Sequence, residues 1–415
     1  METKKLTNPK YMTYLLVLSW LVYTAGYIAR LNYGAVMPEI IKSAGLSMTS
    51  AGFISTGGTI FYAFGQIISG ILGDRFSPRY VMFGGIFTTS LCNMLMALLP
   101  IDFFFPVWCV NGLAQAMLWP PMLRIFTESY RKKDLSKMYV RVSTSNTVGT
   151  LLVYLLAFLF VFLGNWKLLF IFSSVLGFCV SFLWLSGMKK IESHRASFGK
   201  FEETTEVQKE TVLEGFSIKT LVSAGIILIT LATLLHGALK ESVTLWMPTF
   251  IMDTFHLPSE LSILLTIIMP IFSMLCLYLS TFLNDKVFKN EAKTSLFFFI
   301  AALVGSIGIR LFPTQSPILA LLFGTIITSS MYGANLMLIT AIPGFFSKYG
   351  KAATLTGSLN ACAYGGTALS SVGIGALSDR FGWNASLTAW ICIAGLGVIL
   401  CAFSIPRWTK FLKEV

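Results

Sequence analysis

Long apolar runs recur along the whole of this 415-residue chain, separated by short polar loops. A run of about 18 residues or more is long enough to cross the hydrocarbon core of a bilayer as a helix. A helix is required there because lipid offers no hydrogen-bond partner to an exposed backbone. Only 12% of the residues are charged, which is about half the share in a soluble domain. The sequence therefore predicts an all-α membrane protein.

The apolar runs predict twelve transmembrane helices, six before and six after one polar stretch. The first six cover 12–38, 50–73, 80–99, 104–128, 138–163 and 167–188, and the second six cover 218–252, 257–283, 292–312, 318–346, 351–377 and 384–405. The stretch between them is rich in Glu and Lys and has no sustained apolar periodicity. We therefore predict an N-terminal six-helix bundle over 1–188, a linker over 189–217 and a C-terminal six-helix bundle over 218–415.

Lysine and arginine are concentrated in the loops on one side of the predicted membrane. The other side carries only Lys42, Lys167 and Arg380. By the positive-inside rule, both termini and the linker are cytoplasmic. This distribution accounts for the net charge of +12 without a nucleic-acid partner. We expect a multi-pass monomer in a plasma membrane, and the short loops favour a bacterial inner membrane.

The two predicted halves resemble each other in sequence. GILGDRFSPR (70–79) follows the second span and FLNDKVFKN (282–290) follows the eighth, which aligns Asp74 with Asp285. Two parallel six-helix halves are the arrangement of the major facilitator fold, and GILGDRFSPR resembles the signature of that superfamily. The resemblance implies two pseudo-symmetric bundles with a substrate site near the midplane. It also implies a gating role for Asp74, Arg75 and Asp285.

Two basic residues lie well inside predicted spans, one in each half. Arg30 and Lys240 each precede a proline by eight residues. A charge at the centre of a spanning helix costs about 2.5–3.5 kcal/mol, so such residues usually serve a function. A cation from each half would suit an anionic substrate. Alternatively, Arg30 or Lys240 forms an ion pair with Glu241 or Glu39.

Tyrosines accompany these cations. Tyr23 and Tyr27 precede Arg30 on one face of the first helix, and Tyr62, Tyr332 and Tyr364 lie in other spans. A tyrosine hydroxyl could donate a hydrogen bond to a phosphate or a sugar. Alternatively, these rings pack in the core or form an interfacial belt.

Three segments carry a closer resemblance. They are NGLAQAMLWPPMLR (111–124), YIARLNYGAVMP (27–38) and the stretch 332–366, and they resemble the organophosphate:phosphate antiporters, which carry glycerol 3-phosphate or hexose phosphates. In the first segment Gln115 and the Trp-Pro-Pro run match the family pattern, whereas Ala116 and Leu118 replace glycines. By position, the resemblance implies a substrate role for Tyr23, Tyr27, Arg30, Tyr62, Asn146 and Tyr364.

Two residues depart from that family. Lys240 stands where members have a second arginine, and Gln66 stands where the glycerol-phosphate transporter has a lysine. Glu241 adds a negative charge beside Lys240. These differences imply a less charged or zwitterionic anion, or proton coupling through Glu241.

The resulting hypothesis is a secondary transporter that moves a small organic anion, such as a phosphate ester, by alternating access and in exchange for inorganic phosphate. The first alternative is a proton-coupled symporter of a carboxylate or other small anion, and the second is a ligand sensor with the same fold. We expect no enzyme, cofactor or metal site. The three histidines are scattered, and the seven cysteines lie in apolar runs without a metal-binding pattern.

Overall fold

The computed structural model describes Leu6 and the ranges 8–130, 132–197, 218–349 and 352–414. Every regular element in these ranges is a helix, so the prediction of an all-α protein is confirmed. Ten helices within the described ranges are long and apolar enough to cross a membrane. The helices that correspond to the second and eleventh predicted spans are not among the ten, and both are rich in Gly, Ser and Thr.

The first six predicted spans correspond to seven α-helices. They are α1 (Pro9–Ala44), α2 (Met48–Arg75), α3 (Pro78–Leu98), α4 (Phe104–Ala116), α5 (Trp119–Ser129), α6 (Lys132–Phe162) and α7 (Lys167–Ser197). The fourth span is divided because Pro120 and Pro121 lack the N–H groups that would bond to the carbonyls four residues earlier. Helix α7 continues nine residues past its predicted end at 188, into the predicted linker. Residues 198–217 of that linker lie outside the described residues.

The second six predicted spans correspond to nine α-helices. They are α8 (Ile218–Ser223), α9 (Ile226–Phe255), α10 (Ser259–Thr266), α11 (Ile268–Phe282), α12 (Glu291–Leu311), α13 (Pro317–Asn335), α14 (Ile342–Gly344), α15 (Ala352–Phe381) and α16 (Trp383–Glu414). Gly225, in the left-handed region at φ 76°, separates α8 from α9. Pro270 deprives the Thr266 carbonyl of its helical donor, and α10 ends at that residue. Two π-helical segments, Leu283–Phe288 and Leu336–Ala341, extend α11 and α13.

The chain forms two compact units. The first consists of Met1–Ile40 and Gly57–Glu206, and the second of Ile41–Thr56 and Val207–Val415. Helix α2 therefore contributes to both units, because its residues up to Thr56 belong to the second. The predicted domain boundaries at 188 and 218 stay a prediction.

The beginning of α2 is capped by a carboxylate from the end of α15, within the second unit. The Met48 and Thr49 N–H groups donate to Asp379 at 3.1 and 2.7 Å, and the Thr49 hydroxyl donates to the same carboxylate. Further along α2, the Thr56 hydroxyl donates to the Ala368 carbonyl at 2.8 Å. The first N–H groups of a helix have no partner within it and carry a partial positive charge, so an acidic side chain stabilises this end.

Small residues let helices approach closely inside each unit. A Cβ built on Gly112 of α4 would collide with the backbone of Gly58 on α2, and a Cβ on Gly366 of α15 would collide with the Leu234 carbonyl of α9. Close approach through glycine is typical of helix packing in membranes, where van der Waals contact replaces the hydrophobic effect. The outer faces are apolar: large side chains such as Phe64, Phe182, Leu275 and Phe403 are exposed there.

Two neighbouring glycines of α15 allow this packing to be tested. We expect Gly366→Ala to destabilise the protein by about 1–3 kcal/mol, because overpacking forces the helices apart. Gly365→Ala is the matched control, since a Cβ there meets open space and alanine favours a helix by about 1 kcal/mol over glycine. Thermal unfolding in detergent measures the difference. Equal midpoints for the two variants would contradict the close α9–α15 contact.

Candidate functional site

Arg30 lies on α1 of the first unit and contacts an aromatic ring on α2. The guanidinium carbon is 3.9 Å from the centroid of the Tyr62 ring. Tyr62 is buried, whereas Arg30 is partly exposed. Contact with a ring face stabilises a cation that has lost part of its hydration. The structure therefore brings together two residues that the sequence predicted separately.

A buried network of amides holds the segment of α1 around Arg30. Asn32 donates to Asn93 at 2.6 Å and to the Ser173 hydroxyl at 3.1 Å. Asn93 in turn donates to the Ala29 carbonyl at 3.1 Å. The network joins α1, α3 and α7 and fixes the residue next to Arg30. This network was not predicted from the sequence, although asparagine in an apolar span indicates internal hydrogen bonding.

The break between α4 and α5 also contacts the face of α1 that carries the predicted tyrosines. The Gln115 amide donates to the Gly26 carbonyl at 3.0 Å. The Trp119 ring lies 5.2 Å from that of Tyr23, which is 5.7 Å from that of Tyr27. The Trp-Pro-Pro run thus positions an aromatic side chain against the predicted substrate face.

Gln66 has a structural partner at the same break. Its amide nitrogen lies 3.4 Å from the Ala116 carbonyl oxygen, which is a long hydrogen bond. In an unbroken helix this carbonyl would accept from residue 120, but Pro120 has no N–H. Gln66 therefore satisfies a backbone group that the proline leaves without a helical donor.

Asn146 lies on α6, one turn before a close contact with α1. The Thr150 hydroxyl donates to the Asn146 backbone carbonyl at 2.8 Å and lies 3.4 Å from its side-chain oxygen. A Cβ built on Gly149 would come within 2.7 Å of the Tyr27 Cβ. Gly149 is thus required for α6 to approach the α1 face that carries Tyr27.

Lys240 lies on α9 of the second unit and is paired with its sequence neighbour. Its Nζ is 2.7 Å from Glu241 Oε1, and the two side chains are 16% and 36% exposed. The same Nζ lies 4.8 Å from the centroid of the Tyr332 ring on α13. Tyr364 of α15 interacts with Lys240 electrostatically. The ion-pair alternative considered for Lys240 is therefore present, together with a cation–ring contact.

His236 lies one turn before Lys240 on α9. Its side chain is 1% exposed, and neither ring nitrogen has a hydrogen-bond partner among the described residues. Backbone groups of Thr233 and Met331 lie nearby but outside hydrogen-bonding geometry. A buried polar group without partners is uncommon in proteins. The ring packs beside the cation of this unit.

The predicted gating residues lie at the ends of helices. Asp285 is exposed in the π-helical turn after α11. Asp74 and Arg75 end α2, and their side chains lie outside the described part of the structure. Within the described residues there is also no group of three or more His, Cys, Asp or Glu side chains arranged to hold a metal.

Comparison with known proteins agrees with this architecture. The family model of the Major Facilitator Superfamily matches residues 19–353. A probable hexose phosphate transport protein of Chlamydia muridarum is 23% identical over 93% of this chain and 88% of its own length. The glycerol-3-phosphate transporter of Bacillus subtilis is 24% identical over 92% of this chain and 89% of its own length.

A solved structure shares the fold. It is a bacterial homologue of the human lysosomal transporter Spinster in an inward-facing conformation, with a TM-score of 0.75 and 17% identity, and the match covers 98% of this chain and 99% of the other. The predicted major facilitator fold is thereby confirmed. The chain belongs to the Major Facilitator Superfamily, and it is a multi-pass membrane transporter rather than an enzyme.

Proposed function

We propose that this protein is a secondary transporter that carries a small organic anion, a phosphate ester, across the membrane by alternating access and in exchange for inorganic phosphate. The observation that carries the proposal is that each unit holds a partly buried cation against a tyrosine ring well inside a helix long and apolar enough to cross a membrane. These are Arg30 with Tyr62 and Lys240 with Tyr332. Relatives that align over nearly their full length bear the names of hexose phosphate and glycerol-3-phosphate transporters.

The chemistry of the two cations suits a phosphate. A guanidinium that lies over a ring keeps its N–H groups in its own plane, where they can donate to two oxygens of one anion. The ammonium of Lys240 acts as a point charge with donors that can turn. Burial makes both interactions stronger than they would be in water. The ring contacts stabilise the cations without using their hydrogen-bond donors.

The remaining assignments belong to the same proposal. Tyr23, Tyr27 and Tyr364 donate hydroxyl groups to the substrate, and Asn146 and Gln66 contribute amides. Asp74, Arg75 and Asp285 stabilise alternative conformations of the carrier. The protein acts as a monomer in the bacterial inner membrane, with both termini in the cytoplasm and without a nucleic-acid partner.

Replacement of Arg30 tests the proposal directly. We expect Arg30→Ala to reduce exchange of external glucose 6-phosphate or glycerol 3-phosphate for internal phosphate by about 10–100-fold, since a hydrogen bond to a charged group contributes about 1.5–3 kcal/mol. The exchange rate of Arg30→Lys should lie between those of the wild type and Arg30→Ala, because lysine keeps the charge but loses the planar guanidinium. Proteoliposomes loaded with labelled phosphate provide the measurement.

The control for this test is Arg310→Ala. Arg310 is another arginine within a helix, at the end of α12, where its Nε lies 3.4 Å from the Thr388 hydroxyl. We expect this variant to exchange phosphate esters like the wild type. Wild-type exchange by Arg30→Ala would show that the anion is bound elsewhere.

The second candidate is proton-coupled symport of a carboxylate or another small anion. The observation that favours it is the partly exposed Glu241 carboxylate beside Lys240, because such a group can exchange a proton with a cavity. Symport predicts uptake driven by a pH gradient without internal phosphate, and loss of that uptake in Glu241→Gln. Antiport predicts that a pH gradient alone drives no uptake.

A further inference from the structure

We propose that Glu241 is a specificity residue that selects phosphate esters carrying a protonated amine. The inference rests on the proposed function and names its substrate class more closely. It starts from the fact that the ammonium of Lys240 is already neutralised: Glu241 Oε1 lies 2.7 Å from its Nζ. An anion that binds Lys240 must therefore compete with a carboxylate that is covalently fixed beside it.

The carboxylate cannot withdraw far from this competition. Glu241 follows Lys240 directly on α9, so the two side chains share one turn of helix. Glu241 is also the more exposed of the pair. A purely anionic ester that reaches the ammonium meets the carboxylate at the same time, and like charges at short distance repel each other.

The groups around Lys240 Nζ form an ammonium-binding site, and a substrate ammonium bound there would offset the repulsion between the phosphate and Glu241. Lys240 Nζ is held by the Glu241 carboxylate on one side and by the face of the Tyr332 ring, with its centroid at 4.8 Å, on the other. A carboxylate and an aromatic face are the groups that recognise alkylammonium ligands. When a substrate phosphate draws Lys240 toward itself, an ammonium on the same substrate takes its place. Two ion pairs then replace one: the phosphate pairs with Lys240, and the substrate ammonium pairs with Glu241.

The ring favours an amine over a proton as the compensating charge. Protonation of Glu241 would also remove the conflict, but it would leave the Tyr332 face without a cation. Among the described neighbours, His236 is buried one turn away, and Tyr332 and Tyr364 also interact with Lys240. A zwitterionic ester uses both the carboxylate and the ring.

Three sugar phosphates that share one ring and one phosphate position and differ at C2 test this inference. They are glucosamine 6-phosphate, its N-acetyl derivative and glucose 6-phosphate, exchanged into phosphate-loaded proteoliposomes at about pH 6, where an amine stays protonated. We expect the wild type to prefer glucosamine 6-phosphate by about tenfold or more in kcat/KM, as for one charge-assisted hydrogen bond. Acetylation removes the charge and should remove the preference.

Substitution of Glu241 assigns the preference to that residue. In Glu241→Gln the ratio between glucosamine 6-phosphate and glucose 6-phosphate should fall to about one, chiefly through a higher KM for the amine. Glu241→Asp should keep a preference in the same direction. The matched control is Glu260→Gln, in the first turn of α10, which should keep the wild-type ratio.

The wild-type ratio decides the matter even if a variant does not fold. Efficient exchange of all three esters without preference for the amine would overturn the inference and leave the proposed function standing. Proton uptake that accompanies glucose 6-phosphate and disappears in Glu241→Gln would also overturn it, in favour of protonation. Failure to exchange any phosphate ester would instead contradict the proposed function itself.

Discussion

The structure depends on one constraint: in a hydrocarbon environment, every backbone N–H and C=O group must find a partner inside the protein. Long helices satisfy most of these groups, and the breaks occur where another group takes over. Gln66 approaches the Ala116 carbonyl that Pro120 leaves without a donor, and Asp379 accepts from the first N–H groups of α2. These hydrogen bonds join helices that are distant in sequence. The constraint that forces helices therefore also positions the side chains between them.

The two partly buried cations also need partners inside the protein, and each unit supplies them differently. In the first unit Arg30 lies against the Tyr62 ring, beside a network of neutral amides around Asn32. In the second unit Lys240 has both a ring and a carboxylate. An ion pair lowers the cost of burying the lysine, but it also occupies the charge that a substrate would bind. The first unit thus holds a cation against a ring, and the second holds a cation that must exchange its carboxylate partner when it binds an anion.

Much of the fold could be predicted because its signals are local. Apolar runs mark the spans, and the distribution of Lys and Arg predicts their orientation across the membrane. The predicted ends of the helices were less accurate. Helix α7 continues to Ser197 and α16 to Glu414, because a helix need not stop where its apolar stretch stops. The pairing of Lys240 with Glu241 was left open, since adjacent residues point about 100° apart on a helix and only the long side chains bring their ends together. The cap by Asp379 was missed, although GALSDRF (375–381) repeats the pattern of GILGDRF (70–76), because the spacing of residues within one helix does not reveal which helix end they meet.

The difference between the two cations suggests where substrate discrimination lies. An arginine held against a ring attracts any phosphate in much the same way, because a phosphate group is common to all esters. Discrimination requires a group that penalises the wrong ligand as well as one that attracts the right one. Among the described residues near either cation, Glu241 has that character, since its charge opposes an anion and attracts a cation. Gln66, which stands where the glycerol-phosphate transporter has a lysine, does not supply discrimination by charge. Its amide is neutral and lies against a backbone carbonyl. We therefore expect the choice among phosphate esters to depend mainly on Glu241 and the ammonium with which it pairs.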